Sequence, residues 1–132
     1  MHNKLFKKEI DNYRAKDLMT KHVITLQPQE SLLKAQNTMS RYRIKKVVVV
    51  KNNHKNKEHP VGILTIKDIL KFLISDKTDR DLHEISISEV MSKILITMDK
   101  DSSIIDCAKV LHNNKISSLI VSEDNDDHGD MK

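Results

Sequence analysis

The chain has 132 residues, 38% of them hydrophobic and 32% charged, with a formal net charge of +4. That length suits one folded domain, the composition is too apolar for a disordered chain, and no apolar run is long enough to span a bilayer as a helix. The single cysteine, Cys107, excludes an intrachain disulfide framework and fits a reducing, cytoplasmic setting.

At the N-terminus, Phe6, Ile10 and Tyr13 share one face at helical spacing, which predicts an N-terminal helix over residues 1–14. The opening MHNKLFKKEIDNY has no apolar signal-peptide core. A short helical turn ending at Met19 comes next, followed by a β-rich stretch, Val23-Ile24-Thr25-Leu26. Leu32, Ala35 and Met39 then recur at helical spacing. The run Val47-Val48-Val49-Val50 reads as a strand buried on both faces. A polar loop, KNNHKNKEH, leads to Pro60, and a strand over VGILT and a helix over KDILKFLI complete a β-α-β-β-α unit across residues 15–74. Residues 75–86, SDKTDRDLHEIS, read as a charged linker.

From residue 87 the same order begins again. Shifted by 72 residues, 17–50 lies on 89–122 without a gap: Met19 meets Met91, Ile24-Thr25 meets Ile96-Thr97, Ser31 meets Ser103 and Val49 meets Val121. The second copy has a turn ending at Met91, a β stretch LITM, helical positions Ile104, Ala108 and Leu111, and a strand SLIV. Asp101 and Ser102 are the N-cap candidates for its helix. The second unit, 87–132, lacks the final strand and helix, because the counterparts of Gly62, Thr65 and Asp68 would fall past Lys132. Two expectations follow: the chain derives from a longer protein, or a partner chain covers the open edge.

The pattern resembles the CBS domain, named for cystathionine β-synthase, which occurs in tandem as a Bateman module. The residues that carry the resemblance are the Met-Thr/Ser lead-ins (LMT, VMS), the approaches IKKVVVV and ISSLIVS to a buried strand, and Gly62-Ile63-Leu64-Thr65-Ile66-Lys67-Asp68-Ile69. The resemblance implies an α/β fold of tandem repeats in a pseudo-two-fold arrangement. It also implies a homodimer and a regulatory role in which clefts between the repeats bind an adenosine-containing ligand such as AMP, ADP, ATP or S-adenosylmethionine. By the family pattern, Asp68 contacts ribose hydroxyls, Thr65 and neighbouring Lys67 lie near the phosphate, Lys45 and Lys46 meet phosphate, and Val23, Ile24 and Thr25 line the base. Repeat two has Ser117-Ser118 in place of Lys45-Lys46, so one of the two family sites is expected to be weak or absent.

The residue chemistry is compatible with these roles. A fixed carboxylate accepts the hydrogens of a vicinal diol, and helix N-terminal amides favour an anion. Thr65 and Asp68 also approximate a capping box, which needs no ligand. Two further readings stand beside ligand sensing: a ligand-independent interaction module that dimerises or engages a regulated protein, and, ranked last, nucleic-acid binding through KLFKK and RYRIKK. No membrane partner is expected. His54 and His59 share a loop, but no Cys or His pair completes a tetrahedral metal set. Two glycines in the whole chain exclude a Gly-rich phosphate loop, and no nucleophile motif is present, so neither catalysis nor a required cofactor is expected.

Overall fold

A computed structural model of the chain describes residues 12–20, 23–93, 96–116 and 118–122. In chain order the elements are α1 (Ala15–Leu18), β1 (Thr25–Leu26), α2 (Leu32–Tyr42), β2 (Lys46–Asn52), β3 (Glu58–Thr65), α3 (Ile66–Ser75), two 3-10 turns at Leu82–Glu84 and Ile87–Glu89, β4 (Thr97–Asp99), α4 (Ile104–Asn114) and β5 (Ile120–Ser122). The fold is α/β, and the chain divides into two compact units: a central one, His22–Leu95, and a terminal one that joins Met1–Lys21 to Ile96–Lys132.

In the central unit β1 runs parallel to β2, and β2 runs antiparallel to β3. α2 begins where the Ser31 hydroxyl accepts the Lys34 N–H at 3.1 Å. It buries Leu32, Ala35 and Met39, the positions that the helical spacing singled out. These pack with Leu26, Val47, Val49, Leu64 and Ile69. Burying each large aliphatic side chain stabilises the fold by about 1.5–3 kcal/mol. The valine run is less symmetric than expected: Val47, Val49 and Val50 are buried while Val48 is only half-buried. The register shifts between Val49, opposite Gly62, and Val50, opposite Pro60. That irregularity breaks the strict in–out alternation and accommodates a proline that has no N–H to offer the ladder.

Residues 82–92 complete this unit. Ile85 and Ile87 are 1% and 0% exposed, so the end of the charged stretch is apolar core. The Leu32 N–H donates to the Ile85 carbonyl at 2.9 Å, and the Ile87 and Ser88 N–H groups donate to the carbonyls of Glu30 and Pro28 at 2.8 and 2.9 Å. Ile63 and Ser92 then exchange two backbone hydrogen bonds of 3.0 and 2.8 Å.

The terminal unit repeats the design. β4 and β5 run parallel, with Thr97 opposite Ile120. α4 spans the positions of α2 shifted by 72 residues, and both helices end on a left-handed residue, Arg43 at φ 54° and Lys115 at φ 55°. Its N-cap is Ser103, whose hydroxyl accepts the Asp106 N–H at 3.1 Å. The candidates Asp101 and Ser102 have other roles. Asp101 pairs with Lys16 at 3.1 Å, and the Ser102 carbonyl accepts the Ala15 N–H at 2.8 Å. The buried counterpart of Ala35 is Cys107, 5% exposed, whereas Ala108 is exposed.

The residues docked on α4 come from the start of the chain. The Ile104 N–H donates to the Tyr13 carbonyl at 3.1 Å and the Lys16 N–H to the Lys100 carbonyl at 2.9 Å. With the Ala15 contact, these bonds are the shifted equivalents of those made by Ile85, Ile87 and Ser88 in the central unit. The segment leading into each repeat therefore docks on the other repeat. Of the expected N-terminal helix, Phe6 and Ile10 lie outside the described residues; Tyr13 is not helical, and α1 starts at Ala15.

Candidate functional site

Three segments meet at one end of the central sheet. Because β1 and β2 are parallel, the start of β1 lies beside the start of β2: Thr25 is paired with Val48, and the Ile24 carbonyl accepts the Val48 N–H at 3.3 Å. Because β3 runs the opposite way, its last residue, Thr65, lies opposite the first residue of β2, Lys46. The turn into α3 is fastened there, with the Ile66 N–H donating to the Lys45 carbonyl at 3.0 Å. The eight sequence candidates are thus neighbours at one sheet end: Val23, Ile24 and Thr25 from the first strand, Lys45 and Lys46 from the second, and Thr65, Lys67 and Asp68 from the third strand and its helix.

The local sequence sets the geometry of that end. Thr65 is extended at φ −117°, and its hydroxyl accepts the Asp68 N–H at 3.1 Å. In return Asp68 Oδ2 accepts the Thr65 N–H at 3.0 Å. This is the reciprocal capping box expected of T-x-x-D, and it fixes the carboxylate in the first turn of α3. Among the described residues, the other oxygen of Asp68 accepts no hydrogen bond, so it remains available to an outside hydroxyl. Thr65 and Asp68 are half-buried, while Lys45, Lys46 and Lys67 are exposed. Three ammonium groups near one carboxylate make this end of the unit electropositive. Val23, 48% exposed, and half-buried Ile24 supply apolar surface next to it.

Gly62 did not stand out as structural in the sequence, yet it is constrained. A Cβ there would meet Met91 Sδ at 2.5 Å and the Ser92 carbonyl at 3.0 Å. The only sequence signal was its place three residues before Thr65. The contribution of Ile85 and Ile87 had a clearer sign, the alternation of isoleucine and serine in EISIS, which is the period of a half-buried extended segment.

Other polar groups stand apart. His54 is exposed, whereas His59 is half-buried on β3 opposite Lys51, and its Nδ1 has no partner among the described residues. Asp81, His83 and Glu84 form an exposed cluster. Burial, reinforced by the neighbouring Asp106 carboxylate, pushes the Cys107 thiol above its ordinary pKa. No helix among the described residues is long and apolar enough to cross a membrane.

Comparison with known proteins bears on this arrangement. An uncharacterized protein of Methanopyrus kandleri is 27% identical over 109 residues, which is 83% of this chain and 53% of that protein. The chain spans about half or less of the curated relatives it matches; for two others the share is 35% and 40%. Among solved structures, a CBS domain pair in complex with 5′-methylthioadenosine and S-adenosyl-L-methionine superposes with a TM-score of 0.68 at 27% identity, covering 85% of this chain and 82% of that one. A CBS domain protein from Pyrobaculum aerophilum complexed with AMP gives a TM-score of 0.70 at 17% identity, covering 86% and 81%, and shares the fold. The CBS-domain family model matches residues 15–75 and again 87–129, the two copies of the repeat. With both matches falling on the repeat and most of the chain covered, the protein belongs to the CBS-domain family and is a CBS pair.

Proposed function

We propose that this chain is a cytoplasmic regulatory module that binds an adenosine-containing ligand, AMP, ADP, ATP or S-adenosylmethionine, and carries out no chemistry of its own. The observation that supports this most is the convergence of the starts of β1 and β2 with the Thr65–Asp68 capping box. In this reading Asp68 accepts from ribose hydroxyls through its unused oxygen. Thr65, Lys67, Lys45 and Lys46 surround phosphate, and Val23, Ile24 and Thr25 face the base. Solved neighbours complexed with AMP and with S-adenosyl-L-methionine support the ligand class. A ligand that favours one packing of the module over another shifts its population by the difference in affinity, which suffices for regulation.

The test is thermal unfolding of wild type and Asp68→Ala with each of the four ligands. A ligand at 100 times its dissociation constant should stabilise the fold by about 2.7 kcal/mol, an increment absent from the variant. Because the substitution also removes half of the capping box, the readout is the ligand-induced shift and not the starting Tm. No shift with any ligand would reduce Thr65–Asp68 to a helix cap.

A second reading, a ligand-independent interaction module, draws on α3. Leu70, Leu73 and Ile74 form a stripe on this helix and are 55%, 45% and 86% exposed. Such a face suits a homodimer or a regulated protein partner. Light scattering on Ile74→Asp tests the homodimer: loss of a wild-type dimer supports it, and a monomeric wild type refutes it.

A further inference from the structure

We propose that the tip of the β2–β3 hairpin is a docking surface for the acidic segment Glu123–Asp130 of a second copy of this chain. The tip is a built turn. The Asn53 side-chain oxygen accepts the N–H groups of Lys55 and Lys57 at 2.8 and 3.0 Å. The Asn53 N–H donates to the Lys57 carbonyl at 2.8 Å, and Asn56 closes the turn in the left-handed region at φ 57°. This turn holds Lys51, His54, Lys55 and Lys57 on the exposed surface, with Glu58 the one carboxylate between residues 51 and 59.

The repeat supplies the second observation. The 72-residue shift that lays apolar positions on apolar positions across 17–50 continues into the loop, placing KNNHKNKE at 51–58 on EDNDDHGD at 123–130. Asn53 meets Asn125, but the charge inverts: three lysines in the first loop stand where the second segment carries five carboxylates in all. Each copy thus holds both halves of one electrostatic contact. Two copies related by a two-fold axis would satisfy both contacts at once, the isologous arrangement that closes a dimer. Exposed ion pairs are individually weak and screened by salt, so a contact built from several of them is salt-sensitive and serves pairing specificity more than raw affinity. The tip has no aromatic side chain to stack on a base, which favours an acidic polypeptide over single-stranded nucleic acid. The proposal is independent of the ligand reading and survives its failure.

The experiment is zero-length carbodiimide coupling of lysine amines to carboxylates in a mixture of unlabelled and 15N-labelled full chain, read by mass spectrometry. Cross-links from Lys51, Lys55 or Lys57 to residues 123–130 should include mixed-isotope pairs and should vanish at high salt. Lys51→Glu/Lys55→Glu/Lys57→Glu and Asp124→Lys/Asp126→Lys/Asp127→Lys should each lose these cross-links alone. Mixed together they should regain them with the partners reversed, since both contacts of the mixed pair are again complementary. Because the cross-links report the tip itself, a dimer through α3 does not decide the result. Absence of cross-links, same-isotope cross-links only, or capture of nucleic acid by the tip without intercopy cross-links would overturn the proposal. If a variant fails to fold by circular dichroism, the wild-type isotope experiment still decides.

Discussion

At the residue scale, Gly62 and Cys107 show what a few atoms decide. Gly62→Ala would push a methyl group into Met91 and the Ser92 carbonyl. Urea unfolding should show a loss of about 1–3 kcal/mol, the usual cost of overpacking. Adding Met91→Ala should recover part of it, since the flexible thioether gives way while the backbone oxygen stays. Cys107 titrates with the opposite sign to a carboxylate held by a cation. Its folded pKa is raised, so the native state keeps the proton more tightly than the unfolded chain does. That contribution is complete below the unfolded thiol pKa and is lost as pH rises through the folded one. The urea midpoint of wild type should therefore fall at alkaline pH more steeply than that of Cys107→Ala. The capping box at Thr65 and Asp68 was legible in the sequence because both partners lie within one helical turn. The restraint on Gly62 was not, because Met91 comes from the other side of a long connection.

At the scale of the element, α2 and α4 are the same helix built twice, with the same serine cap and the same left-handed end. Ser103→Ala should cost about 0.5–2 kcal/mol in chemical denaturation. Asp101→Ala, which removes only an exposed ion pair with Lys16, should cost about 1 kcal/mol or less, and salt should erase the difference. Lys115→Gly should raise stability by about 1 kcal/mol, since glycine adopts the left-handed conformation without the Cβ clash. The periodicity of α4 was readable, but its register was off by one place. Cys107, not Ala108, faces inward, because packing of the whole face selects the buried position and a lone spacing rule does not.

At the scale of the whole molecule, the two lead-in segments are exchanged between the repeats. Deleting residues 1–20 should strip Tyr13, Ala15 and Lys16 from α4 and β4. Amide exchange at Ile104 should then rise, while α2, β2 and β3 keep their protection. In the central unit Ile87→Ala should cost about 2–5 kcal/mol, a core-sized penalty from a residue next to the charged linker stretch.

The sequence by itself determined the repeat, its 72-residue period, the order of strands and helices, the Thr65–Asp68 cap and the residues now gathered at the sheet end. All of these rest on local spacing or on comparison of the chain with itself. Only the tertiary structure decided which repeat receives which lead-in segment, why Gly62 has no room for a side chain, and that Leu70, Leu73 and Ile74 remain exposed. The physical reason is that two copies of one pattern present nearly the same docking edge. Local propensity does not distinguish them, so the choice belongs to packing and hydrogen bonds between residues far apart in the chain.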